Sequence, residues 1–319
     1  MEKLSFARDY ITDDELSNFW TYETLTGVSF SCGVCTTEGH SNILQLDEGD
    51  NHAAIMAGDD TGSVLDSVLT SAMCRHKPNL LTVDFIVTSD KLQQIEKYNV
   101  KGMHTGRTFI VDSDEDAVVA IKQLCIDVEK RMFLINKFGA FNLHGARAAL
   151  MEKFHECINI TCTWDEMIAA HTTEQMQAGD STYFSADWSR HFVVIYPFTT
   201  LFPACNEKAF ARLQMLVRLG RAPGYHFLFV ADDAQSGKIS IDDRLACMPF
   251  ASLKIFGDVS EDTFERVTEC SYIDELKEGN ALAVFEPGTL ARMYRSYDYD
   301  LSNLNHLLWR IRKIYKGVL

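Results

Sequence analysis

The sequence is short of positive charge. Its 319 residues carry 30 Lys and Arg against 45 Asp and Glu, a formal net charge of −15. Nucleic-acid binding draws on a basic surface that displaces counterions, so this balance disfavours autonomous DNA binding and suits contacts with basic partner surfaces. Long hydrophobic runs are missing too. None approaches the roughly 18 apolar residues that span a membrane, and the first residues, Met1–Asp9, lack a secretory apolar core. The expected compartment is the cytoplasm. The nine cysteines are odd in number and scattered, which argues against a disulfide framework and for reduced, mostly buried thiols. Cys32 and Cys35 form a CxxC with His40 close by, but a second CxxC is absent and zinc usually takes four ligands. The alternation of Val28, Phe30, Cys32 and Val34 reads instead as a strand that sends the two thiols to opposite faces. Internal repeats and low-complexity linkers are also lacking.

What is present is a globular composition, 46% hydrophobic and 24% charged, long enough for one large α/β domain or two small ones. Apolar strands alternate with amphipathic helices. Strands are expected at 53–57, 83–88, 108–111, 192–195, 226–231 and 251–256, with a closing pair at 281–286 and 292–297. Helices are expected at 64–75, around 144–156, at 206–219 and at the end of the chain, on Leu301, Leu304, Leu308, Ile311 and Ile314. The clearest helix follows residue 113, with Val118, Ile121, Cys125, Val128, Met132 and Ile135 in one stripe, Asp112 or Ser113 as cap and Gly139 as stop. This alternation predicts a mostly parallel sheet with helices on both faces. Residues 1–50 form an N-terminal segment with a β-rich lead-in from about Gly27 to Leu46, the main domain spans residues 51–319, and a polar insertion lies near 140–190.

The richest local pattern runs from His52 to Leu65: an apolar strand, the turn Gly58-Asp59-Asp60-Thr61-Gly62-Ser63, then an apolar helix. That is the layout of a phosphate-binding loop, G-x-x-x-x-G-K-S/T. Counted without a gap from Gly58, the second glycine falls on Ser63, the lysine on Val64 and the hydroxyl on Leu65. A two-residue gap restores a hydroxyl at Ser63 but still deletes the lysine and shortens the loop. Asp59 and Asp60 add negative charge where polyphosphate would sit, and like charges about 4 Å apart repel by several kcal/mol at intermediate dielectric.

Further along, Gly220-Arg-Ala-Pro-Gly-Tyr-His226 and the strand after it resemble the G-R-A-x-G-I-H segment of the FtsK/SpoIIIE motors, hexameric RecA-like ATPases that translocate DNA and are related to HerA-type motors and type VII secretion ATPases. Other segments are similar in order and spacing: the Gly27–Leu46 strands, the 112–138 helix, Pro249–Phe256 and Gly279–Gly288. Together they cover roughly residues 25–300. The resemblance implies a RecA-like P-loop fold with a mostly parallel central sheet. It also locates departures. Where the family has the Walker-B Asp and Glu, this chain has Tyr196 and Pro197, which offer Mg²⁺ no carboxylate and supply no base. The sensor position reads Asp232 and Asp233, and the D-P-K position reads Thr88-Ser89-Asp90.

A catalytically inactive motor-fold subunit is the reading these departures imply. No catalytic residue, metal or cofactor is expected, and protein partners are, among them an active FtsK-like ATPase or components of a secretion or defence assembly. The alternative is an atypical ATPase that uses ATP and Mg²⁺, with charge supplied by Lys238 of the Gly237-Lys238 pair or by a partner subunit. Arg221 is the candidate for an arginine acting on a neighbour's nucleotide, and is otherwise a residue of a helix end. A third reading is a non-catalytic DNA-binding ring subunit.

Overall fold

The computed structural model describes residues 4–5, 27–39, 43–47, 52–78, 80–99, 104–158, 187–198, 207–231, 251–278, 281–286, 291–298, 305–311 and 313. Twelve strands occur among them: β1 (Leu4–Ser5), β2 (Gly27–Phe30), β3 (Gly33–Cys35), β4 (Leu44–Asp47), β5 (His52–Met56), β6 (Leu81–Val87), β7 (Thr105–Ile110), β8 (Arg190–Tyr196), β9 (Tyr225–Val230), β10 (Ala251–Phe256), β11 (Ala281–Phe285) and β12 (Arg292–Asp298). The main sheet has the order β1-β12-β11-β10-β5-β9-β8-β6-β7, and β3 adds to β12. From β10 to β7 every pairing is parallel. The β10–β11–β12 end is antiparallel, and β2 and β4 form a separate antiparallel pair. This is the α/β class expected from the β/α alternation.

The central strands are apolar on both faces because both faces are covered. On one face lies α1 (Thr61–Arg75), which packs Val64, Leu65, Val68, Leu69, Ala72 and Met73 against the sheet together with the β2–β4 pair. The opposite face carries α2 (Asp114–Lys137). Beyond it come α3 (Leu143–Ile158), α4 (Glu207–Leu219) and α5 (Glu261–Thr268). The second core joins α2, α4 and α5 through Leu124, Val128, Leu213, Val217 and Phe264. A helical segment at 305–311, α6, returns to the first face, burying Leu307, Leu308 and Ile311. Leu301, Leu304 and Ile314, expected on the same stripe, lie outside the described residues.

Local signals explain several boundaries. Ser113 caps α2 by accepting the Asp116 N–H at 3.2 Å, with Asp114, Glu115 and Asp116 at the positive end of the helix. Gly139 follows α2 at φ +66°, a conformation that favours glycine. Other expectations shift. Helix α1 starts at Thr61, three residues earlier than read, and β7 runs 105–110 rather than 108–111. The apolar stripe of α2 is rotated: Ala117, Ala120, Leu124 and Arg131 are buried, whereas Val118, Cys125 and Met132 are only partly so. The strand expected through 28–34 breaks at Ser31 and Cys32, where the Ser31 N–H turns to Ser71 Oγ at 2.7 Å. Both thiols are nevertheless buried, and burial pushes Cys32 up to about 12. Among the described residues no cluster of His, Cys, Asp and Glu could hold a metal, and no helix is long and apolar enough to cross a membrane.

Candidate functional site

Parallel strands give the sheet two chemically distinct ends. At the C-terminal ends, where α/β folds bind ligands, β5 turns into α1 through Ala57 and a single 3₁₀ turn, Gly58–Asp60. The turn is tied to itself. Asp60 N–H donates to Ala57 O at 3.1 Å, Thr61 N–H donates to Gly58 O, and Ala57 N–H donates to Thr61 Oγ1 at 3.3 Å. Gly58 adopts φ +55°, and a Cβ there would lie 1.9 Å from the Asp258 carbonyl oxygen. The segment leaving β10 therefore lies directly against the turn. Its Gly257 is as close, since a Cβ on it would meet Ala57 Cα at 2.9 Å.

The residues singled out from sequence have unequal fates. Gly58 is buried, Asp59 is exposed and Asp60 is intermediate; Gly62 and Ser63 already belong to the first turn of α1. Val64 and Leu65, at the gap-free lysine and hydroxyl positions, point into the core at 0% and 2% exposure. Tyr196 ends β8 fully buried and is followed by a buried Pro197 across a cis peptide bond; Lys91 Nζ lies 5.3 Å from the Tyr196 ring centroid. Arg221 precedes β9 and so stands at the opposite end of the sheet from Gly58, in a turn closed by Gly224 N–H donating to Arg221 O. Asp232, Asp233 and Lys238 lie outside the described residues.

At the N-terminal strand ends is a group that sequence reading did not anticipate. Thr82 and Asp84 of β6, Gly106 and Arg107 of β7, His191 of β8 and Tyr225 of β9 meet the second half of α2 around a cavity of about 450 Å³. Asp84 is 0% exposed. His191 Nδ1 contacts Asp84 Oδ2 at 2.5 Å and its Nε2 contacts Asp187 Oδ2 at 2.9 Å. Burial and the charge of Arg131 oppose protonation of His191, but the two carboxylates outweigh them and raise its pKa. Asp84 and Asp187 are pushed up by burial and more strongly down by His191 and by Arg107 and Arg131, so both titrate below the usual carboxylate range. Arg107 N–H donates to Asp84 Oδ1 at 2.8 Å, and its guanidinium pairs with Asp127. Arg131 donates to the carbonyls of Ser189 and Pro223 at 2.6 and 3.2 Å and reaches Asp187 at 3.1 Å.

Glycines set the geometry of this end. A Cβ on Gly106 would lie 2.4 Å from Asp84 Oδ1, so only glycine lets β7 approach the carboxylate. Gly224, at φ +85°, would meet Leu143 at 2.4 Å. The Gly220–His226 segment thus serves as the turn that carries Pro223 O and Tyr225 to the cavity; the Tyr225 ring stacks on His191 at 4.5 Å and 12°.

No family model and no curated protein matches the sequence. Solved structures do match in shape, and the fold they define is that of the FtsK/HerA-type RecA-like motor domains. One is EssC (ATPases 2 and 3) from Geobacillus thermodenitrificans, 15% identical, covering 93% of this chain and 51% of that one, with a TM-score of 0.61. A second is the cytoplasmic domain of the type VII secretion ATPase EccC of Thermomonospora curvata, at 13% identity, 98% and 34% coverage and a TM-score of 0.62. A third is the pCW3 conjugation coupling protein TcpA, at 13% identity, 96% and 73% coverage and a TM-score of 0.53. The chain spans about half the length of the EssC chain and a third of the EccC chain.

Proposed function

We propose that this chain is a motor-fold component of a secretion- or conjugation-type assembly that neither binds nor hydrolyses ATP and works through contacts with protein partners. The observation that carries this reading is the closed turn at Gly58. A phosphate-binding loop needs backbone N–H groups pointing outward, a lysine for the β/γ-phosphates and a hydroxyl for Mg²⁺. Here two of the turn's N–H groups are spent on Ala57 O and Gly58 O, and the Thr61 hydroxyl accepts from Ala57. The Asp258 carbonyl stands against Gly58, and a buried Val64 occupies the lysine position. A magnesium–nucleotide complex does not fit these residues. Tyr196 and Pro197, at the end of β8, add neither a carboxylate for the metal nor a base for water. The positive end of α1 is already faced by Asp59 and Asp60, which reduces its attraction for an anion.

TcpA, by contrast, was solved as a monomer with ATPγS, and EccC (ATPases 2 and 3) in complex with a signal sequence peptide. The similarity in fold supports placing this chain among such assemblies, and the soluble-protein composition supports a cytoplasmic site. The main domain, 51–319, would act as the interaction body, with residues 1–50 as its lead-in. The test is calorimetric titration of the full chain with ATP and Mg²⁺, paired with turnover assays with and without DNA. We expect neither binding nor turnover. Saturable ATP binding, or turnover lost in Ser63→Ala, would overturn the reading.

A further inference from the structure

Charge is spread unevenly over this acidic chain. Two stretches, 130–151 and 208–231, contain eight of the 30 Lys and Arg and none of the 45 Asp and Glu. They are far apart in sequence and adjacent in the fold. The first holds the end of α2, the loop after it and the start of α3; the second holds most of α4 and the turn into β9. Helices α2 and α4 pack together through Leu124, Val128, Leu213 and Val217. Arg212 of α4 is close enough to α2 to offset part of the rise that burial and Glu129 impose on the Cys125 thiol. Leu143 N–H donates to Ala222 O at 2.7 Å, which ties the loop after α2 to the turn after α4. Three elements thus build one surface poor in acids. Of the acids near it, Asp127 and Asp187 are paired with Arg107 and Arg131, and Glu129 stands at the margin.

The same surface holds large apolar side chains in solvent. Phe141, on the loop, is 88% exposed; Phe133 of α2 is 61% exposed, and Leu219 and Met215 of α4 are 57% and 46% exposed. Met215 and Leu219 lie one helical turn apart. Cations are set among them. Arg212 and Arg218 are exposed on α4, and Lys137 Nζ lies 4.8 Å from the Phe133 ring centroid. A protein interface gathers its apolar residues into a core depleted of charge. Here apolar and cationic side chains interleave, and Phe141 stands out from a loop. That arrangement suits the plane of lipid headgroups, where cations meet phosphates while apolar side chains reach the acyl boundary. The acidic remainder of the chain opposes such a contact weakly, because charges farther than about 8 Å are screened at physiological ionic strength.

We propose that the α2–α4 surface adsorbs to an anionic lipid bilayer, with Lys137, Arg212 and Arg218 at the headgroup phosphates and Phe141, Met215 and Leu219 at the acyl boundary. The contact is independent of nucleotide binding at the Gly58 turn. Flotation of the full chain with vesicles of about 30% phosphatidylglycerol in phosphatidylcholine tests it at about 0.1 M salt. Binding is expected there, and should be at least about tenfold weaker with pure phosphatidylcholine or at about 0.5 M salt. Phe141→Ser, and Arg212→Gln combined with Arg218→Gln, should each weaken binding about five- to twentyfold. Trp309→Ala removes an aromatic that is 55% exposed on α6, at the opposite face, and should leave binding unchanged. No flotation with about 5 mM anionic lipid would overturn the proposal, since even one acyl anchor binds at far lower lipid. So would equal binding to neutral vesicles, or a loss in Trp309→Ala as large as in Phe141→Ser. Capture of a polyglutamate peptide through Arg212 and Arg218, without vesicle binding, would make an acidic protein segment the occupant and overturn it as well.

Discussion

Among the described residues, the two ends of the sheet divide chemistry and packing in the reverse of the usual order. At the C-terminal ends, where this fold class places its ligands, the β5–α1 turn is closed by its own hydrogen bonds and covered by the Asp258 carbonyl. At the N-terminal ends, usually a matter of packing, three aspartates, two arginines, a histidine and a tyrosine converge on one cavity. A fold therefore does not fix where polar chemistry sits; side chains at particular registers do.

The sharpest way to break the comparison is Asp84→Ala. It leaves His191 and Arg107 without their buried acceptor, and removing one partner of a buried pair costs about 3–5 kcal/mol. Urea unfolding should show a loss of that size, and a loss below about 1 kcal/mol, the surface-pair range, would mean the network is ornamental. The turn end should respond to sterics instead. Gly58→Ala places a methyl on the Asp258 carbonyl in a left-handed conformation, with an expected loss of about 2–3 kcal/mol, the cost of overpacking added to that of a strained φ. Gly62→Ala, with nothing within 4 Å and a helical backbone, should instead stabilise by up to about 1 kcal/mol. Equal effects at the two glycines would refute the tight turn.

The smallest effect is in pH. Because the folded state raises the His191 pKa, protonation of His191 contributes stability below about pH 6.5 and loses it as pH rises through the folded value. Asp84 and Asp187, lowered in the fold, contribute above the usual carboxylate range and lose it as pH falls. The stability gap between wild type and His191→Gln should be widest near pH 5–6 and narrow by pH 8–9. His52 and His104 run the other way: burial lowers both to about 4, so they favour the fold as pH rises. They are present in both proteins and cancel in the difference. A gap that widens above pH 7 would reverse the assignment of charge to His191.

Sequence periodicity carried the fold because each strand's apolar run and each helix's cap are local signals. Ser113 and Gly139 bracket α2 as their chemistry dictates, and the Gly220–His226 turn leads into β9. The residues singled out at Gly58, Val64, Tyr196 and Pro197 could be located because they sit in a recognisable order, and they fall at the β5–α1 turn, in the core beneath it and at the end of β8. The cavity was not. Its residues are spread from 82 to 225 and meet only because β6, β7, β8 and β9 are parallel and in register, as with Asp84 opposite Val193 and Phe192 opposite His226. Two signs were there to read: an aspartate inside the apolar run Val83-Asp84-Phe85, and an arginine, Arg131, on the buried side of α2. The stripe assigned from periodicity passed beside Arg131 because a buried charge looks like a surface one until its partners are placed.

The contact between the Gly58 turn and Asp258 has a consequence for the order of assembly. Strand β5 is flanked by β9 and β10, whose residues follow it by some 170 to 200 positions. Contacts this distant in sequence are slow to form and late in synthesis. The turn cannot be sealed until residue 258 has left the ribosome, so the early strands must wait with an apolar edge uncovered. Residue 258 follows Gly58 by about 200 positions, so this turn is completed by backbone that is made late in synthesis.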